Sequence, residues 1–125
     1  MIEGSCHCGA VRIEVPEAPT QLTSCNCSIC RRLGMLMADY RPEHVSVVGT
    51  TVTYVWGDKS LAFHRCTMCG CTTHWKSIDP AQTGRMGVDA RLLDPAVLEG
   101  VRIRKSDGAG AGNLATHHRS KIKPD

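Results

Sequence analysis

Seven of the eight cysteines stand in three tight groups: Cys6-His7-Cys8, Cys25-Asn26-Cys27-Ser28-Ile29-Cys30 and Cys66-Thr67-Met68-Cys69. Thiolates at such spacings suit zinc, a borderline-soft ion that takes sulfur ligands tetrahedrally. Residues i and i+2 of an extended segment share a face, so Cys6 with Cys8, and Cys25 with Cys27, can each pinch one ion. A tight turn does the same at i and i+3 for Cys27 with Cys30 and for Cys66 with Cys69. Two pairs make a closed four-thiolate site, which is structural. The triplet makes a three-thiolate site with one position open, which can do chemistry. Two Zn2+ ions per chain are therefore expected.

A shared glycine decides which pairs belong together. Gly9 follows Cys8 and Gly70 follows Cys69, and glycine there lets the chain turn with φ > 0 and aim backbone N–H groups at the sulfurs. Cys8 and Cys66 lie 58 residues apart. Closing Cys6, Cys8, Cys66 and Cys69 around one ion thus ties the first strand to the middle of the sheet and makes metal binding part of the folding free energy. The alternative is four free or separately used cysteines.

At Cys25, Cys27 and Cys30, water, a fourth side chain or a substrate thiol must complete the coordination. A thiol bound there is deprotonated, which turns a weak nucleophile into a usable one. Arg31 and Arg32 follow at once and are candidates to grip a substrate carboxylate in a fork geometry. Closure by Cys71 or a nearby histidine is the other possibility, and it would make this site structural too. Cys71 itself reads as a small buried apolar residue beside the second pair. His64 and His74 flank that pair and are candidate ligands or acid/base groups, although such histidines more often only hydrogen-bond. His7 points away from its cysteine neighbours if the segment is extended. Trp56 and Trp75 read as core or pocket walls, and Ser5 and Asn26 as hydrogen-bond donors or turn residues beside the ligands.

The elements that must position these groups are short. Val11, Ile13 and Val15 alternate with polar residues, which predicts a half-buried strand over 10–15. Further strands are expected at 22–24, 36–40, 45–48, 51–56, 60–65, 71–76, 85–88 and 101–104, with turns at Gly49-Thr50 and Gly57-Asp58. Residues 28–33 predict a helical turn or two. Asp94 and Pro95 open a short capped helix. The architecture expected is mainly β, as one domain over residues 1–105 with a flexible basic tail over 106–125 that includes His117 and His118.

Composition bounds the function classes. Aromatics are only 4% of the 125 residues, so the core must be aliphatic and metal-braced. The net charge of +3 arises after residue 100, where six Lys or Arg against two Asp leave residues 1–100 at −1. Ionising seven cysteines and adding two zinc ions brings the loaded chain near zero, so nucleic acid is not an expected partner. No apolar run approaches the roughly 20 residues that span a bilayer, and residues 1–15 carry no leader-like apolar stretch. A cytoplasmic protein with reduced thiols is expected; a disulfide framework would need a secreted context.

Three motifs in order carry a family resemblance: Gly4-Ser5-Cys6-His7-Cys8-Gly9-Ala10-Val11, Cys25-Asn26-Cys27-Ser28-Ile29-Cys30-Arg31-Arg32 and Cys66-Thr67-Met68-Cys69-Gly70-Cys71, with Gly87-Val88-Asp89-Ala90-Arg91-Leu92-Leu93-Asp94 behind them. The chain resembles the glutathione-dependent formaldehyde-activating (GFA) family, also called the centromere protein V/GFA domain, over roughly residues 3–105. The resemblance implies a zinc-bound β-tent fold of short antiparallel strands, similar to methionine sulfoxide reductase B. It implies that Cys6, Cys8, Cys66 and Cys69 hold a structural zinc and that Cys25, Cys27 and Cys30 hold a catalytic one. It also implies a carbon–sulfur lyase-type activity, S-(hydroxymethyl)glutathione synthase, on glutathione or another small thiol and formaldehyde or a related aldehyde. The rival classes are a non-catalytic zinc-stabilised binding module, and a thiol redox or zinc sensor whose triplet oxidises and releases metal.

Overall fold

Alternation of side chains along the strands sorts this molecule into an aliphatic face and a cysteine-bearing face. The computed structural model describes residues 1–79, 81 and 84–107. Its strands are β1 (Ile2–Ser5), β2 (Arg12–Val15), β3 (Gln21–Cys25), β4 (Met37–Tyr40), β5 (Ser46–Val48), β6 (Thr51–Tyr54), β7 (Leu61–Cys66), β8 (Thr72–Ser77), β9 (Met86–Asp89) and β10 (Arg102–Ser106). A single α-helix among the described residues, α1 (Ser28–Leu33), and 3-10 turns at Pro42–His44, Ala90–Leu92 and Pro95–Leu98 connect them. The fold is mainly β, as expected.

β1, β2 and β5 form a three-stranded sheet, and the other strands form a seven-stranded sheet in the order β10-β3-β4-β9-β8-β7-β6. The strand pairs are antiparallel but for one: β10 runs parallel to β3, with Arg104 beside Thr23 and Ser106 beside Cys25. The expectation of antiparallel strands is corrected there. The long path from β3 to β10 supplies the crossover that a parallel pair needs and a hairpin cannot provide.

Ile13 and Val15 of β2 pack against Leu22, Ala38, Met86 and Val88 of the larger sheet, all at most 4% exposed. Each such side chain contributes about 1.5–3 kcal/mol of hydrophobic stabilisation. The opposite face of the larger sheet carries the next residues along each strand. Asp39, Gly87, Trp75 and Phe63 stand side by side across four strands of it. There Met37, Phe63 and Trp75 build a second small core with Met35, Ile29 and Trp56.

Three elements differ from the sequence pattern. β1 was not predicted, because Gly4 sits mid-strand; the structure needs glycine there, since a Cβ would stand 2.5 Å from the Leu92 carbonyl oxygen. The capped turn at Asp94 is 3-10 and not α-helical, with the Ala96 N–H donating to Asp94 Oδ1 at 2.9 Å. The expected last strand also runs on through Ser106, and Asn26 Nδ2 donates to Asp107 Oδ1 at 3.0 Å. His117 and His118 lie outside the described residues.

Candidate metal centres and the adjoining cavity

Cys6 and Cys8 lie in the β1–β2 connection, Cys66 ends β7 and Cys69 lies in the β7–β8 connection, and the fold brings these two turns together. All four sulfurs lie within 4.8 Å of one another. The Cys6–Cys8 separation is 3.7 Å and the Cys8–Cys66 separation 3.6 Å. A tetrahedral zinc with Zn–S bonds of about 2.3 Å requires sulfurs about 3.8 Å apart, so the donor set fits the ion. Gly9 and Gly70 hold φ values of +82° and +79°, with open space around each. Glycine is needed there for the backbone angle and not for room. The turns aim N–H groups at the sulfurs: Val11 N donates to Cys6 at 3.3 Å, Ala10 N to Cys8 at 3.4 Å and Met68 N to Cys66 at 3.3 Å.

The protein itself stabilises only part of four negative charges. The Cys71 N–H, then the Cys8 N–H, pull the Cys69 thiol down to about 5. Cys8 is pushed up to about 11, because the pull of the Ala10 N–H is outweighed by burial together with the thiols of Cys66, Cys6 and Cys69. A divalent cation held by the four sulfurs would supply the charge that offsets their ionisation.

The second group is built locally. Cys25 ends β3, Cys27 is the N-cap of α1, and Cys30 lies in its first turn. The Cys27 sulfur accepts the Cys30 N–H at 3.4 Å, so it caps the helix, and Cys25 accepts the Cys27 N–H at 3.4 Å. Gly34 closes the helix with φ +67°. The three sulfurs also lie within 4.8 Å of one another. Mutual crowding raises the Cys27 and Cys30 thiols, in each case chiefly through the Cys25 thiol. Three soft donors in this arrangement suit zinc with a position to spare.

All three cysteines line one cavity of about 270 Å³. Trp56, Phe63 and Trp75 supply its aromatic wall, and Asp39, Arg85 and Arg104 its charged groups. The indole of Trp75 lies directly on Gly87, where a Cβ would stand 2.5 Å from Cε2 and closer still to Nε1. The Arg85 guanidinium carbon sits 5.3 Å from the centre of the Trp75 ring.

With both cysteine groups in place, residues 1–103 match the glutathione-dependent formaldehyde-activating enzyme family. The chain belongs to that family. A curated relative from Halomonas elongata, whose name also refers to glutathione-dependent formaldehyde activation, is 54% identical over 33 residues. That match spans 26% of this chain and 21% of the relative. A crystal structure of a Rhodobacter sphaeroides protein superposes with a TM-score of 0.68 at 31% identity, covering 82% of this chain and 100% of that one.

Other residues of this family member fall where the site does not need them. Arg31 and Arg32 are exposed on α1 and are not among the residues lining the cavity; Arg32 Nη1 donates to the Ser28 carbonyl at 2.9 Å. Cys71 packs against the four-cysteine group and not the triplet, and no histidine lines the cavity. His7 is exposed and outside the four-sulfur group. His64 and His74 stack on each other, with ring centroids 4.1 Å apart, and each ring Nδ1 meets a threonine hydroxyl at 2.8 Å. Burial, then the charges of His64 and Lys76, lowers His74 to about 3. This pair is structural. Trp56 and Trp75 are pocket walls, as expected. Arg85, Arg104 and Asp39 had no signal in the sequence: each is an isolated charge whose neighbours at the cavity come from distant strands. Among the described residues, no helix is long and apolar enough to cross a membrane.

Proposed function

We propose that the chain is a zinc enzyme joining a small thiol, glutathione foremost, to formaldehyde or a related aldehyde, a carbon–sulfur lyase in the reverse sense. Cys25, Cys27 and Cys30 hold the catalytic ion, and Cys6, Cys8, Cys66 and Cys69 hold the structural one. The observation that carries this reading is the difference between the two groups. Four sulfurs close one site completely, while three border a cavity that a substrate can enter.

Zinc at the triplet supplies a positive charge that keeps a fourth, incoming thiol ionised at neutral pH. The protein does the rest by placement. Cys27 caps α1 and Cys30 lies in its first turn, so the helix fixes both sulfurs in the cavity wall. Trp56, Phe63 and Trp75 exclude water around the reacting atoms, which strengthens the electrostatic attraction of thiolate and aldehyde carbon. The thiolate sulfur attacks the carbonyl carbon, a C–S bond forms, the C=O π pair moves to oxygen, and that oxygen takes a proton from solvent. No oxidant or reductant is consumed. Clustered thiols with no disulfide partner belong in a reducing compartment, and the reading places the protein in the cytoplasm.

Metal analysis with a thiol titration tests this. Two zinc ions per chain are expected. In the cobalt-substituted protein, glutathione should shift the sulfur-to-metal absorption of one site, and Cys27→Ala should abolish that shift. Exchange NMR should show faster formation of the glutathione–formaldehyde adduct. One metal per chain, indifferent to thiols, with no acceleration, would refute the reading.

A further inference from the structure

Two cations border the triplet's cavity. Arg104 stands on β10 beside Thr23, on the strand that ends in Cys25. Arg85 enters from the segment before β9 with its guanidinium carbon over the Trp75 ring, 5.3 Å from the centroid; a guanidinium carries its N–H donors in a planar fork that matches a carboxylate. β9 and β10 are separated in the sheet by β3 and β4, three strand spacings or roughly 14 Å. Both arginines nevertheless line the same cavity. An extended tripeptide spans roughly 10 Å. One such molecule can reach both guanidinium groups, and a two-carbon thiol cannot. Asp39 of β4, between the two, offers a carboxylate to an ammonium group. A second, larger and more open groove of about 550 Å³ shares Thr23, Asp39, Trp75 and Arg85 with this cavity, leaving room for a chain end beyond Trp75.

We propose that Arg85 and Arg104 hold the two carboxylates of a peptide-like thiol, one at each end, and so deliver its central sulfur to Cys25, Cys27 and Cys30. The inference rests on the reading of the triplet as a thiol site and adds to it the residues that would select a thiol flanked by carboxylates over small uncharged ones. It also moves carboxylate recognition away from Arg31 and Arg32.

Trp56 and Trp75 both stand in the cavity wall, so intrinsic fluorescence of the zinc-loaded full chain reports binding without turnover. The probes are glutathione, its glycine monoethyl ester and 2-mercaptoethanol. Arg85→Gln and Arg104→Gln should each weaken glutathione by about tenfold to a hundredfold, the scale of one charge-assisted hydrogen-bonded contact. They should leave 2-mercaptoethanol unchanged, and the corresponding Lys variants should recover part of the loss. The monoester should bind wild type about as weakly as glutathione binds one of the Gln variants, and should be insensitive to that variant. Equal glutathione affinity in wild type and both Gln variants overturns the clamp while leaving the thiol site standing. So does an equal loss for 2-mercaptoethanol, or a loss found in Arg31→Gln or Arg32→Gln instead. If wild type binds none of the three thiols, the thiol reading of the triplet falls and the clamp with it.

Discussion

Alanine at Cys66 and at Cys27 should have very different consequences for folding. The Cys8–Cys66 contact closes a loop across 58 residues and joins the three-stranded sheet to the seven-stranded one. A cross-link of that span removes about 4 kcal/mol of chain entropy from the unfolded state, whereas one spanning Cys25 to Cys30 removes about 2 kcal/mol. Burial widens the gap. Cys66 is 1% and Cys27 7% exposed, but Cys66 packs in a buried cluster with Val11 and Cys6, while α1, the element the triplet anchors, has no buried residue. Unfolding entropy for a domain of this size converts 1 kcal/mol into about 4 °C. Cys66→Ala should therefore lower Tm by about 15 °C or more, and Cys27→Ala by about 8 °C or less while eliminating the response to thiols. Thermal unfolding of zinc-loaded protein, followed by circular dichroism with the metal content measured on the same samples, makes the comparison. Equal destabilisation by the two variants, or a larger loss in Cys27→Ala, would show that the proposed division between structural and catalytic ions is wrong.

Two further outcomes follow from particular contacts. Gly87→Ala drives a methyl into the Trp75 indole; overpacking of this kind costs about 1–3 kcal/mol, and because Trp75 walls the cavity the variant should also weaken thiol binding. Unchanged urea midpoint and unchanged affinity would count against Trp75 as a fixed wall. His74 is 5% exposed and its folded pKa of about 3 lies below the unfolded value near 6.5, so its stabilising contribution is complete above pH 6.5 and is lost as pH falls toward 3. At pH 5 that loss is about 2 kcal/mol. Asp89 works against it: burial raises its carboxyl to about 6, against the pull of the Arg91 and Leu36 N–H groups, so stability rises as pH falls from 6 toward 4, by about 1 kcal/mol at pH 5. His74→Gln removes only the first effect. Relative to wild type it should gain about 2 kcal/mol between pH 7.5 and pH 5 in urea titrations, and a pH-independent difference would contradict the assignment.

The sequence by itself determined whatever is local. Coordination by Cys25, Cys27 and Cys30 depends on neighbours in one knuckle, and the glycines after Cys8 and Cys69 announce their positive φ by residue type alone. The alternation of Val11, Ile13 and Val15 likewise marks a buried face, because strand geometry repeats every two residues wherever the strand sits. The glycine that follows each pair, and then the family motifs, joined residues 6–8 to residues 66–69, which spacing alone left open. Only the tertiary structure decided the cavity. Whether Arg85 and Arg104 line one cavity depends on sheet order and register, set by pairing free energies between residues far apart in the chain, and a one-residue slip would turn either side chain to the other face. The same rule removed His64 and His74 from the chemistry: cross-strand register stacks them on each other, on the face opposite Trp75. A triplet written in six consecutive residues can be read from its letters; the walls of its cavity come from five strands, α1 and the segments between them, and exist only once those strands have paired.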